Sequence, residues 1–214
     1  MFEDKDGHVW VGTDGNGLML FRHSNSGINL MNSETTVNGK LSSDFIWGFY
    51  EDEDQNLWIG TSNEGLNKWN RVNNTIENIY LSNKKTYPTP NDIFAICPHQ
   101  DDVLLVGTSC GLWQFDKTTQ RSSPLSNQFN EKTIRRTPVI IPLGNSRYLA
   151  QIHNNCFVVN YKDQLWSFDT VPIADSVAII FSYKSASGKL FAFSTNGIYD
   201  LSNTEISYQP FQYQ

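Results

Sequence analysis

No stretch of this sequence approaches the ~18 apolar residues a membrane-spanning helix needs. No basic excess is present either. The net charge of −6 gives no general attraction for nucleic acid or an anionic membrane. Charged residues are scarce at 18% while aromatics reach 13%, which excludes a disordered, charge-extended chain. There are three cysteines, Cys97, Cys110 and Cys156. None forms a CxxC pair, so a zinc site or a stapled framework is not expected. Cys97 follows an apolar run and reads as a buried small residue. His8, His23, His99 and His153 are scattered without metal-binding spacing, and no G-x-S-x-G elbow or phosphate-binding loop occurs. No leader is visible, because Met1 runs directly into Phe2-Glu3-Asp4.

What is present is a repeat. Asp4-Lys5-Asp6-Gly7-His8-Val9-Trp10-Val11-Gly12-Thr13 is echoed by Asp52-Glu53-Asp54-Gln55-Asn56-Leu57-Trp58-Ile59-Gly60-Thr61. A third copy runs Asp101-Asp102-Val103-Leu104-Leu105-Val106-Gly107-Thr108. Gly12, Gly60 and Gly107 therefore recur at steps of 48 and 47 residues. Each copy leads into a second apolar segment, beginning Gly17-Leu18, Gly65-Leu66 and Gly111-Leu112. A weaker copy at 187–199 puts Phe193 in place of the first glycine. Arg147–Phe157 occupies the place of the fourth and is recognised mainly by position. Asp44-Phe45-Ile46-Trp47, Asn91-Asp92-Ile93-Phe94 and Asp175-Ser176-Val177-Ala178 open successive units.

Each unit reads as four short strands, because β-branched and aromatic runs alternate with Gly, Asn and Asp turns. No stretch carries a capped 3.6-residue apolar period. Four strands in about 45 residues make a propeller blade, whose apolar faces are buried against neighbouring blades. The expected fold is all-β, with about four and a half to five blades of four antiparallel strands. The blades are placed at 1–31 (partial, without its innermost strand), 32–81, 82–128, 129–167 and 168–214.

The D-x-D-G-x-L-W-I-G-T pattern followed by G-L closely resembles the regulator-propeller repeat, strongly over 1–122 and weakly over 123–214. That repeat belongs to the periplasmic sensor regions of bacterial hybrid two-component systems. The resemblance implies a periplasmic location, a seven-bladed propeller and a β-sandwich and histidine kinase elsewhere in the parent chain. It also implies work as a dimer. Seven blades would need roughly 315 residues, so the chain reads as a segment of a larger ectodomain.

Asp4-Lys5-Asp6-Gly7 and its echo could be read as a calcium loop. The simpler reading is turn chemistry between the first two strands, because no later acidic ligand follows. Trp10 and Trp58 read as packing anchors. Trp47 is different: one place after Ile46, the pleat turns it toward a channel or a neighbouring blade. The start of the innermost strand and the loop between the second and third strands open on one face. Ligand-binding candidates there are Asp44, Trp47, Asn91, Phe94, Arg135 and Arg136 from strand starts. Asn63, Glu64, His153, Asn154 and Asn196 come from loops. Such side chains with aromatics suit a sugar, and Arg135-Arg136 suit a carboxylate or sulfate on it. The competing reading makes them ordinary turn and surface residues.

No cofactor, catalytic residue or metal ligand is expected. The reading favoured is a non-catalytic sensor that binds an oligosaccharide. Further blades and a β-sandwich of the same chain are its expected partners, and a homodimer is its expected assembly. A structural spacer is the first alternative. A propeller lyase or hydrolase using His153 as acid or base is the second.

Overall fold

A computed structural model of the chain describes residues 1–22, 28–34, 39–83, 87–126, 135–171, 179–185, 187–202 and 206–210. Every regular element among them is a strand. The chain is an all-β β-propeller of five blades, each a four-stranded antiparallel sheet with its strands in sequence order. The first blade comprises β1 (Phe2–Glu3), β2 (Val9–Gly12), β3 (Leu18–Phe21) and β4 (Ile28–Met31). The second has β5 (Ile46–Glu51), β6 (Asn56–Thr61), β7 (Leu66–Asn70) and β8 (Thr75–Ile79). The third has β9 (Ile93–Gln100), β10 (Val103–Thr108), β11 (Gly111–Asp116) and β12 (Ser122–Pro124). The fourth has β13 (Val139–Gly144), β14 (Arg147–Ile152), β15 (Asn155–Lys162) and β16 (Leu165–Thr170). The fifth has β17 (Ile179–Lys184), β18 (Leu190–Ser194), β19 (Gly197–Asp200) and β20 (Ser207–Pro210). Two compact units divide the chain, Met1–Arg136 with blades one to three and Thr137–Gln214 with blades four and five.

Two expectations are corrected. The first blade does have an innermost strand: Phe2 pairs with Trp10 and Glu3 with Val9, and Phe2 stacks on Phe49 at 6.2 Å. A two-residue strand suffices because the turn behind it is firmly tied. The fourth blade also runs further than placed, since β16 continues to Thr170. Asp175–Ala178, expected to open the fifth blade, lies outside the described residues.

The repeat pattern has a direct physical basis. Asp4 Oδ1 accepts the amides of Asp6 at 3.0 Å and His8 at 2.9 Å, and its Oδ2 accepts the Trp10 indole N–H at 2.8 Å. Asp52 does the same for Asp54, Asn56 and Trp58, at 3.1, 2.9 and 2.8 Å. One carboxylate thus closes the hairpin turn and satisfies an indole whose ring is 1% exposed in both blades, where an orphaned N–H would be costly. Further along, the hydroxyls of Thr13, Thr61, Thr108 and Ser194 donate to the carbonyls of Gly17, Gly65, Gly111 and Gly197. That bond recurs in blades one, two, three and five.

Between blades the same residues form the core. Trp10, Leu18, Leu20 and Ile46 pack with Leu57, Ile59 and Trp69 between blades one and two, with Trp10 edge-on to Trp69 at 5.3 Å. Trp58, Leu66, Ile93, Leu104 and Phe115 repeat this between blades two and three, where Trp58 meets Phe115 at 5.8 Å. The Gly in W-I-G-T lies where the next blade crosses. A Cβ on Gly60 would stand 2.7 Å from Ile93 Cγ2, and one on Gly12 2.8 Å from Ile46 Cγ2. In the fourth blade Gln151 stands near the corresponding place, and its Oε1 accepts the Ile179 amide at 3.0 Å. There a polar side chain replaces the close approach, which is why that copy is faint in sequence.

Candidate functional site

A β-bulge places the aromatic residues of the candidate face. In β5 the register passes from Ile46↔Thr61 to Gly48↔Gly60, skipping Trp47. In β9 it passes from Ile93↔Thr108 to Ala95↔Gly107, skipping Phe94. The extra residue leaves the ladder and its side chain is re-aimed. Trp47 is 39% exposed and lies 6.2 Å from Phe94 across the blade boundary. The Arg136 guanidinium sits over the Phe94 ring at 4.2 Å, a cation–π geometry. Arg136 is held there by its neighbour, since the Arg135 amide donates to the Ser109 carbonyl at 2.7 Å. Exposed Trp47, half-buried Phe94 and exposed Arg136 therefore form one row over blades two and three. Both arginines belong to the first compact unit, although they were expected in the fourth blade.

Below this row is Asp92, which the sequence reading quoted but did not nominate. Its side chain is buried, and Oδ1 has no hydrogen-bond partner among the described residues. Burial pushes the carboxyl above its ordinary value, while Ser62, the Asn63 amide and Arg136 pull against that shift. The signal lay in position: Asp92 immediately precedes Ile93, where the second blade has Phe45.

The other candidates divide. Asn91 is 1% exposed and is committed to the fold, its Oδ1 accepting the Leu81 and Ser82 amides and its Nδ2 donating to the Ser82 carbonyl. Asp44 receives the amide and hydroxyl of Ser33 at 2.6 and 2.9 Å. Asn63 is exposed at φ 61° in the β6–β7 loop. Glu64 accepts the Tyr80 hydroxyl at 2.8 Å. In the second unit, His153 and Asn154 form the exposed β14–β15 turn, with His153 at φ 57°. Asn196 is exposed in the β18–β19 turn, its amide donating to Ser194 Oγ at 3.3 Å.

At the opposite end of the first blade, Asp4, Asp6 and His8 offer ligand atoms within 4.8 Å of one another. Asp4 is already engaged by two amides and the Trp10 indole. Arg71 Nη1 also reaches its Oδ2 at 2.6 Å. Burial would raise the Asp4 pKa, but Trp10, the His8 amide, Arg71 and the His8 ring outweigh it and hold the carboxyl low. A guanidinium on the central ligand opposes a cation, so the turn reading accounts for these residues. The thiols of Cys97 and Cys156 are pushed up by burial, to about 12 and about 11, and offer no thiolate for catalysis.

Comparison with known proteins follows the same outline. No curated protein matches the sequence at a significant level. The extracellular domain of BT4673 from B. thetaiotaomicron, assigned to a one-component system, superposes with a TM-score of 0.76 at 18% identity. The match covers 98% of this chain and 30% of that one. The extracellular domain of BT3049 from the same organism, assigned to a hybrid two-component system, gives 0.72 at 16% identity. It covers 97% of this chain and 29% of its own. Virginiamycin B lyase from Staphylococcus aureus gives 0.70 at 12% identity, over 99% of this chain and 69% of its own. These likenesses are of fold, and the chain spans about 30% of the length of the two B. thetaiotaomicron domains. Residues 1–15 and 40–63, parts of the first two blades, match the family model of the two component regulator propeller.

Proposed function

We propose that the chain is a non-catalytic sensor segment, part of the extracytoplasmic propeller of a hybrid two-component signalling protein. In this reading its Trp47–Phe94–Arg136 row holds part of a glycan-derived ligand. The observation that carries the ligand reading is the row itself. A bulge in each of two successive blades turns an aromatic ring out of the sheet, and a guanidinium lies on one of them. A sugar needs a flat apolar platform bordered by a few polar groups, and Asn63 and Glu64 are loop residues exposed in the second blade. The repeat match and the fold shared with extracellular domains of one- and two-component systems support a periplasmic setting. Further blades completing a seven-bladed ring, a β-sandwich, a membrane-linked kinase and a dimer belong to the same proposal. Signalling then follows from a ligand's differential affinity for two arrangements of the ectodomain.

The test is a calorimetric titration of the full-length ectodomain with neutral, uronate-bearing and sulfated oligosaccharides. Trp47→Ala and Arg136→Ala should each weaken the best ligand by about tenfold, the scale of a lost stacking or charge-assisted contact. Mass spectrometry should recover that ligand unchanged, whereas a lyase would consume it. Absence of binding across the panel, or full binding by both variants, would sink the reading.

A further inference from the structure

A second cleft lies between blades one and two, at the end of the sheets opposite the Trp47 row, with a volume of about 410 Å³. Its walls come from the β1–β2 and β7–β8 turns and the strands beside them. Two arginines face it, and they differ in state. Arg71 is clasped: Nη1 donates to Asp4, Nη2 to Glu51 and Nε to the Gln55 carbonyl. Three of its five N–H groups are thus used and its charge is met by two carboxylates. Arg22 is exposed and makes no hydrogen bond or ion pair among the described residues. Asp6 and His8 join the lining, whose remaining residues are apolar or amide in character. Val72 is 74% exposed and lines the cleft with Trp69. Asn74 adds an amide, its Oδ1 accepting the Trp69 indole N–H at 3.2 Å.

We infer that this cleft binds a small organic monocarboxylate with an apolar body. Of the two arginines, Arg22 is the one without a carboxylate partner among the described residues, and its planar fork matches a carboxylate. Arg71 has two N–H groups remaining, enough to share the anion without leaving its clasp. Asp6 stands on the rim, and with Asp4 and Glu51 already beneath, a polyanion such as phosphate meets repulsion. Val72 and Trp69 present apolar surface that a bare inorganic anion would leave unused. The site is independent of the glycan reading, because its residues and the Trp47 row lie at opposite ends of the sheets.

The experiment titrates the whole chain with phenylacetate, following the Trp69 indole N–H by nuclear magnetic resonance. Phenylacetate should shift that resonance saturably, and the neutral phenylacetamide should bind about tenfold more weakly or worse. Arg22→Ala should cause a similar loss; the residue is exposed and unpaired, so the fold should survive. Arg136→Ala should leave the titration unchanged. The inference fails if phenylacetate gives no saturable shift or if the amide binds equally well. It also fails if Arg22→Ala has no effect, if Arg136→Ala abolishes the shift, or if sulfate displaces the probe at comparable concentration.

Discussion

The carboxylate of Asp52 accepts the indole N–H of Trp58 at 2.8 Å. It also receives two backbone amides of the turn that separates them in sequence. Hairpin closure and satisfaction of a buried ring are thus one interaction. The third blade shows the coupling from the other side: His99 and Leu105 stand where Asp and Trp would be, so acceptor and donor are missing together.

Removing the acceptor alone should therefore be expensive. Asp52→Ala leaves the Trp58 N–H buried without a partner and uncaps the turn, a loss of about 2–4 kcal/mol. Urea denaturation should show that fall, while the double variant Asp52→Ala/Trp58→Leu should lose less than the sum of the two single changes. Strictly additive losses would contradict the coupling.

Gly60 is demanded by its neighbour and not by its own backbone angles. A Cβ there would lie 2.7 Å from the Ile93 side chain and 2.9 Å from its carbonyl oxygen. Gly60→Ala should cost about 1–3 kcal/mol, the usual range for overpacking. Pairing it with Ile93→Val, which removes one methyl but not the carbonyl, should recover part of that loss. A thermal midpoint equal to that of the unaltered chain would show that the blades can part without cost.

Protonation should move stability in opposite directions at two buried aspartates. At Asp52 burial works to raise the pKa, yet Trp58, Asn56 and Lys117 together hold it low. Its contribution is complete above the ordinary carboxylate value of 3.8 and is lost as pH falls through the folded value. At Asp92 burial prevails and the folded pKa is raised. Its stabilising contribution is present below the unfolded value and is lost as pH rises through the folded one. Asp92→Asn should accordingly be more stable than the unaltered chain at pH 7, with the gap closing on acidification. Denaturation curves at pH 7, 5 and 4 measure this, and a gap that widened toward acid would reverse the sign.

Much of this was legible in the chain because a repeat exposes its own constraints. The Gly12, Gly60 and Gly107 spacing placed β2, β6 and β10, and at Gly12 and Gly60 the glycine marks a crossing by the next blade. The fourth unit was faint for a physical reason: Gln151 meets Ile179 through an amide hydrogen bond, so the glycine signature is absent. Trp47 and Phe94 were nominated from their place near the start of a strand. The sequence could not say that a bulge takes each out of the ladder.

Local chemistry by itself determined the blades: turn formers, strand formers and the Asp–Trp pair all act within one hairpin or its immediate neighbour. Only the tertiary structure decided which polar groups remained available for a ligand. Asn91 and Arg136 look alike as candidates in sequence. Folding spends Asn91 on Leu81 and Ser82 but leaves Arg136 exposed on Phe94. It also buries Asp92, which no pattern had nominated. The physical reason is that a side chain's availability depends on which hydrogen-bond partners the neighbouring loops bring to it, and those loops are remote in sequence.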